Sequence, residues 1–295
     1  MITPSERIEV FKDTMDWIEK DPVLSEYVSV AKQNTTVFYE NIYPEYDKSK
    51  TYDMAISVTQ ERSFKAVMRL SKEYPGSRIA VMNFANAFRP GGGVKQGSDV
   101  QEESLCRIST LYPLISQKNI RESFYQHHME MNTPRASDSL IYSEGVIICK
   151  SDKEYPERLS KGEWVKVDVM TIAAPDLREE KMCDAELFGY HVKRAIHMFT
   201  CAAAKEADIL VLGAFGCGAF RNNPEVVAKA YLVALQEFPE VFRKIEFAVY
   251  CPPGSSDNYN VFKEVFCGLT ENDRSRDILH PRRVATWLCG GKAAD

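Results

Sequence analysis

The chain is expected to adopt a layered α/β fold around a largely parallel or mixed sheet, with a helical extension at its N-terminus. Three observations predict it. Runs of β-branched and apolar residues alternate with segments of helical periodicity. Two glycine-rich loops follow strand-like runs, the position at which α/β sheets hold their ligands. The composition, 44% apolar and 27% charged over 295 residues, is that of a globular chain able to bury a sizeable core.

Residues 1–34 read as a helical extension, with Ile8, Phe11, Met15 and Ile18 on one face and Pro22 interrupting it. Thr35-Thr36-Val37-Phe38-Tyr39 is β-branched and aromatic, hence a strand. Residues 54–58 form a second strand, after which Thr59 is placed to cap a helix that turns Phe64, Val67, Met68 and Leu70 inward. Residues 78–84 make a strand leading into the first glycine loop. A helix follows from about residue 100, with Ser98 and Asp99 as N-cap candidates and Ser98-x-x-Gln101 resembling a capping box.

Residues 139–142 and 146–149 predict a hairpin turning at Glu144-Gly145. Residues 167–172 are a further strand. A helix over about 185–205 aligns Leu187, His191, Ala195, Met198 and Phe199 on one stripe. Residues 209–212 are apolar enough for a strand buried on both faces. Asn223-Pro224-Glu225 combines an N-cap, a first-position proline and a first-turn acid. Residues 245–250 form the last strand. One domain over 35–270 is expected, followed by a partly flexible C-terminal segment, 271–295.

Thirty-seven basic and 42 acidic side chains give a net charge of −5. That balance argues against a general nucleic-acid binder, which needs a basic footprint to displace counterions, but leaves room for one phosphorylated ligand in a pocket. No run reaches the ~18 apolar residues of a membrane span, and the first residues lack a secretory signal. A soluble cytoplasmic protein with no membrane partner is expected. The eight cysteines form no C-x-x-C, and neither His127-His128 nor His191/His197 forms H-E-x-x-H. Reduced, buried thiols, no metal and no cofactor are therefore expected.

The first loop runs Asn83-Phe84-Ala85-Asn86-Ala87-Phe88-Arg89-Pro90-Gly91-Gly92-Gly93-Val94 and leads to Gln101-Glu102-Glu103. Three successive glycines let a backbone approach a ligand with no Cβ in the way. The paired acids fall in a first helical turn, where acids also simply complement the helix dipole. The second loop is Gly213-Ala214-Phe215-Gly216-Cys217-Gly218-Ala219-Phe220. Its small residues free backbone N–H groups for an anion, although such a loop is also a tight strand–helix turn. It has Walker spacing, but Ala219 stands where lysine is required, so it points to a diphosphate that is bound rather than cleaved.

Gly91-Gly92-Gly93, seven residues, Gln101-Glu102-Glu103 resembles the signature of poly(ADP-ribose) glycohydrolases. Cys106-Arg107-Ile108-Ser109-Thr110-Leu111-Tyr112-Pro113 resembles their microbial-type branch, and Gly216-Cys217-Gly218-Ala219-Phe220 is similar to their diphosphate loop. The resemblance spans roughly residues 35–265. It implies a macrodomain-like fold, in three layers (α/β/α) with a mixed central sheet, and metal-independent hydrolysis of the ribose–ribose O-glycosidic bond, releasing ADP-ribose from a polymer or an ADP-ribosylated protein. By resemblance, Glu103 is the general acid/base, Glu102 binds the scissile ribose and Asn86 contacts the terminal ribose hydroxyls. Gly91, Gly92 and Gly93 wrap ribose and diphosphate, with Val94 and Gln101 completing that loop. Gly216, Cys217, Gly218 and Ala219 hold the diphosphate, and Phe220 packs on ribose or adenosine. One departure is Arg89-Pro90 directly before the glycines.

Two other readings keep the same pocket: a mono-ADP-ribosyl hydrolase acting on a protein or nucleic-acid linkage, and a non-catalytic ADP-ribose-binding module. The second acid argues against the latter. Cleavage through an oxocarbenium-like state needs a proton for the leaving oxygen. A helix N-terminus opposes protonation of an acid there, whereas a neighbouring carboxylate, a ligand diphosphate and desolvation favour it.

Overall fold

The computed structural model describes residues 2–252 and 254–267; the segment expected over 271–295, with Cys289, lies outside them. The fold is mixed α/β. In chain order it runs α1 (Pro4–Lys20), α2 (Pro22–Gln33), β1 (Thr35–Phe38), β2 (Ala55–Thr59), α3 (Ser63–Glu73), β3 (Ile79–Phe84), α4 (Gln101–Ile108), α5 (Leu111–Ile115), α6 (Lys118–Ile120), α7 (His127–Met131), β4 (Leu140–Ile148), β5 (Val165–Ile172), α8 (Asp184–Ala204), β6 (Ile209–Leu212), α9 (Pro224–Leu235), β7 (Lys244–Ala248) and α10 (Asp257–Cys267). A π-helical stretch, Arg121–Gln126, joins α6 to α7. Among the described residues no helix is long and apolar enough to cross a membrane. The chain divides into two compact units, residues up to 42 with 62–174, and residues 43–61 with those from 175 onward.

In the first unit the strand order is β1-β4-β5-β3, with β4 antiparallel to both neighbours and β3 parallel to β5. Asn83 thereby lies opposite Thr171 near the C-terminal end of β3, next to the glycine loop. The N-terminal helices are built by their caps. Thr3 and Glu6 form a capping box for α1, while the Asp21 carboxylate accepts from Val23 and Leu24 N–H and seats Pro22 at the first position of α2. Pro22 thus divides one expected helix into two. Helix α1 packs on α4, and α2 on β4 and α5. Buried Thr14 donates to the carbonyls of Val10 and Arg107, at 2.9 and 2.5 Å.

Two local expectations in this unit do not hold. The expected hairpin at Glu144-Gly145 is one continuous strand, β4, carrying a bulge between Ser143 and Val146. Gly145 takes φ +76° and donates its N–H to Asp168 Oδ1, so the glycine absorbs one extra residue instead of reversing the chain. The expected cap Thr59 is instead the last residue of β2, and α3 begins at Ser63 with no side-chain cap.

In the second unit β6, β7 and β2 are parallel in that order, with Leu210, Ile245 and Ile56 in register. The buried carboxylate of Glu246 in β7 accepts from Ser57 and Thr59 hydroxyls, which is where the Thr59 side chain is used. Helix α8 packs on α9, and α10 on α9 and β2. The expected stripe on α8 is buried throughout, and β6 is buried along its length. Asn223 caps α9 by accepting from Glu225 N–H, as the sequence indicates.

The cysteine expectation holds in part. Cys106, Cys149 and Cys201 are free and buried, but Cys183 is exposed at the start of α8, and Cys217 and Cys251 are half-buried.

Candidate active site at the first glycine loop

The loop is closed at its base by Gln101. Its side-chain carbonyl accepts from Phe84 N–H at 2.9 Å, and its amide donates to the Met82 carbonyl at 2.7 Å and Ser63 Oγ at 3.0 Å. One side chain thus fixes the start of α4 to the end of β3. The expected capping box at Ser98 is absent, because Val100 occupies the N-cap position and Gln101 is engaged with the strand. Ser98 and Asp99 serve another purpose. The Arg107 guanidinium, in the last turn of α4, donates to the Ser98 carbonyl (2.5 Å), Asp99 Oδ1 (2.6 Å) and Ser104 Oγ (2.9 Å).

Glu102 and Glu103 are 2% and 4% exposed. Glu102 Oε2 accepts from Asn86 N–H at 2.8 Å, and Oε1 from Gly91 N–H at 3.2 Å and Asn83 Nδ2 at 3.4 Å. Glu103 Oε1 accepts from Gly93 N–H at 2.7 Å, whereas its Oε2 is buried with no hydrogen-bond partner. Burial, then the charge of Glu103, push the Glu102 carboxyl up to about 8 against the pull of those N–H groups. Burial thus favours the protonated form of Glu102.

The glycines are required by contact. A Cβ on Gly92 would lie 2.5 Å from Glu103 Oε1 and 3.0 Å from Glu102 Oε2, and its φ is +53°. A Cβ on Gly91 would meet the Tyr112 ring at 2.9 Å, and one on Gly93 would meet Ser98 Oγ at 2.2 Å. Val94 is buried and opens a short 3₁₀ turn, Val94–Gln96. Asn86 shapes the next part of the loop, its Oδ1 accepting from the N–H groups of Phe88 and Arg89. The structure thus brings Asn86, Gly91, Gly92, Gly93, Val94, Gln101, Glu102 and Glu103 together.

Sequence reasoning missed the groups that brace this loop from α1. Gly97, at φ +75°, has no room for a Cβ because the Pro4 carbonyl would be 2.3 Å away. Arg7 donates from Nε to the Gly97 carbonyl at 2.6 Å and also pairs with Asp99. Phe11 stacks edge-on to Tyr112 with ring centroids 5.0 Å apart. Amphipathic spacing identified α1 but carried no sign of what its buried face meets.

The second glycine loop lies in the other unit, between β6 and α9. Gly216 (φ +73°) and Arg221 (φ +60°) turn it, and Asn222 N–H closes it onto the Gly216 carbonyl at 3.0 Å. Among the described residues the N–H groups of Gly216, Gly218, Ala219 and Phe220 have no acceptor. Asn222 holds the loop by donating to the carbonyls of Pro175 (2.7 Å) and Phe220 (3.2 Å), while its Oδ1 accepts from His191 Nε2 at 2.7 Å. Burial pushes His191 down to about 3, so this support stays neutral at physiological pH. The Arg178 guanidinium lies 5.4 Å from the centroid of the half-buried Phe220 ring. Cys217 and Ala219 complete the loop, with Gly218 and Ala219 exposed.

The comparisons with known proteins point to one family. Residues 18–151 match a family model described as "Microbial-type PARG, catalytic domain". A poly(ADP-ribose) glycohydrolase from Thermomonospora curvata is 29% identical, with a TM-score of 0.76 over 88% of this chain and 99% of that one. The same enzyme bound to the inhibitor ADP-HPD superposes at 0.75 with 28% identity and the same coverage. A poly(ADP-ribose) glycohydrolase from Deinococcus radiodurans in complex with ADP-ribose is 29% identical, with a TM-score of 0.72 over 82% of this chain and 98% of that one. No curated protein matches. The family resemblance and the macrodomain-like α/β fold read from the sequence are borne out.

Proposed function

We infer, from the premise that residues 18–151 carry the microbial-type PARG catalytic domain, that this chain is a glycosidase-type hydrolase of poly(ADP-ribose). It hydrolyses the ribose–ribose O-glycosidic bond and releases ADP-ribose. Glu103 acts as general acid and then general base, and Glu102 holds the scissile ribose.

The observation that supports this most directly is the state of Glu103. Its Oε1 is tied to Gly93 N–H at 2.7 Å, while its Oε2 is buried and has no partner. A buried polar atom without a partner is costly, and a substrate oxygen would relieve that cost. The proton passes from Glu103 to the leaving glycosidic oxygen as the C–O bond breaks. The ring carbon then carries oxocarbenium character until water adds, and the proton lost by that water returns to Glu103. Both carboxyl groups border the same spot beside Gly92, and burial raises the Glu102 carboxyl toward its protonated form, in which it can donate to a ribose hydroxyl. Two adjacent carboxyls on one helical turn cannot flank a sugar on opposite faces, so an ordinary two-carboxylate glycosidase arrangement is disfavoured.

The remaining site residues are assigned on the same footing. Asn86 and the three glycines contact ribose and diphosphate. The N–H groups of Gly216, Gly218 and Ala219, beside Cys217, suit a diphosphate, and the Phe220 ring suits a sugar or base face. The acidic net charge and the free buried cysteines favour a cytoplasmic setting without general nucleic-acid binding.

The test is release of free ADP-ribose from poly(ADP-ribose)-modified protein by wild type and by Glu103→Gln. The substitution keeps the shape but transfers no proton, so a loss of ~10²–10⁴-fold is expected with ADP-ribose affinity retained. A wild-type protein that binds ADP-ribose yet releases none from chains is a reader, and the hydrolase reading then fails.

A further inference from the structure

Gly92 borders more than the two carboxyl groups: it also forms part of the wall of a cavity of about 470 Å³ in the first unit. That size lies within the range of small-molecule sites, about 300–1,000 Å³. The cavity is unlike the rest of this acidic chain. Four cations, Arg89, Lys95, Lys118 and Arg121, line it with a single carboxylate, Glu122, which lies 3.8 Å from Lys118. Among the described residues Arg89, Lys95 and Arg121 have no carboxylate partner.

Its other walls are aromatic or incompletely bonded. Phe88, a large apolar residue, is 39% exposed at the loop and lines the cavity. The Lys95 ammonium sits 5.4 Å from the centroid of the Tyr112 ring. Tyr125, only 1% exposed, lines the cavity with a hydroxyl that has no hydrogen-bond partner. Cations for phosphate, an exposed aromatic face for a base and an unpaired hydroxyl together fit a nucleoside diphosphate.

We propose that this cavity is the leaving-group subsite, which binds the second ADP-ribose unit of the chain. Arg89 and Arg121 hold its diphosphate, and Phe88 stacks on its adenine. The proposal rests on the poly(ADP-ribose) reading above. The position follows from the chemistry: Glu103 protonates the oxygen that leaves, so whatever carries that oxygen must lie next to Glu103, and Gly92 is the wall shared by both. Arg89-Pro90, the departure that precedes the glycines, then has a role.

The experiment measures binding of ADP-ribose and of an (ADP-ribose)₂ dimer to the full chain carrying Glu103→Gln, in which cleavage of the dimer is slowed by the ~10²–10⁴-fold expected above. The dimer is expected to bind about tenfold more tightly than ADP-ribose, with a steeper salt dependence. Adding Arg89→Ala and Arg121→Ala, both at exposed positions, should erase that advantage to within about twofold and leave ADP-ribose affinity unchanged. Arg→Lys at the same positions should restore part of it. A mono-ADP-ribosylated peptide, which has no second diphosphate, should bind both proteins alike. Equal affinity for dimer and monomer, or an advantage that survives the double substitution, overturns the subsite alone. So does equal loss for the peptide. Failure to bind ADP-ribose itself brings down the underlying functional reading, and the proposal with it.

Discussion

In the first glycine loop the N–H groups of Asn86, Gly91 and Gly93 are occupied by Glu102 and Glu103, whereas in the second those of Gly216, Gly218, Ala219 and Phe220 have no acceptor among the described residues. The glycines differ in the same way. A Cβ at Gly91, Gly92 or Gly93 collides with a neighbour, but one at Gly218 meets nothing within 4 Å. The first loop is therefore a mould that holds two carboxyl groups in place. The second is a nest of backbone N–H groups without acceptors among the described residues, a geometry suited to an anion. On the function proposed above, the two loops divide the work, one positioning the acid and the other receiving charge.

The largest effect expected from this division is at Gly92. Gly92→Ala places a methyl group against Glu103 Oε1 and adds strain at φ +53°. Turnover should fall by at least ~10²-fold while the protein still folds and ADP-ribose still binds within several-fold. A variant that keeps more than a third of wild-type turnover would mean that the mould is not what orients Glu103.

Next in size is the support of the second loop. Asn222→Ala removes the bonds to the Pro175 and Phe220 carbonyls and leaves His191 Nε2 without an acceptor. Loss of a buried group of this kind costs ~1–3 kcal/mol. Calorimetric melting should show that loss, and titration with ADP-ribose should show affinity reduced by about tenfold with the catalytic step little changed. An effect on turnover alone, with affinity intact, would contradict the division between the loops.

A smaller effect follows from the proton on Glu102. Its ordinary value is 4.5 and its folded value about 8, so the folded chain keeps a proton that the unfolded chain gives up between them. The stability associated with this group is complete below about 4.5 and is lost as pH rises through about 8. Wild type should therefore lose melting temperature across that window more steeply than Glu102→Gln, which cannot ionise. Parallel pH profiles would show that the carboxyl is not held protonated by burial.

Most of the strands and the periodic helices were readable from the sequence, because burial on one or both faces writes a pattern that survives without knowledge of partners. The α8 stripe from Leu187 to Phe199 is an example. The errors fell where a single residue chooses between local and distant bonds. Gly145 permits either a turn or a bulge, and its bond to Asp168, 23 residues away, selects the bulge. Ser98 and Thr59 have cap chemistry, but Gln101 is claimed by β3 and Thr59 by Glu246. The carboxylates and glycines of the site could be named because glycine runs beside paired acids are rare. Arg7 and Gly97 could not, since each acts through a contact with chain about ninety residues away in sequence.

The smallest expected effect is also the sharpest probe of the open nest. Gly218→Ala adds a methyl group that meets no atom of the protein within 4 Å, at a glycine whose φ is not in the left-handed region. Folding should be unchanged, and the N–H remains available to an anion. If the ligand touches this loop only through backbone N–H groups, affinity for ADP-ribose should change by less than about twofold. A loss of tenfold or more, without a change in melting temperature, would mean that a ligand surface packs against the Gly218 α-carbon. The second loop would then resemble the first in requiring its glycines for close approach, and the contrast between mould and nest would not stand.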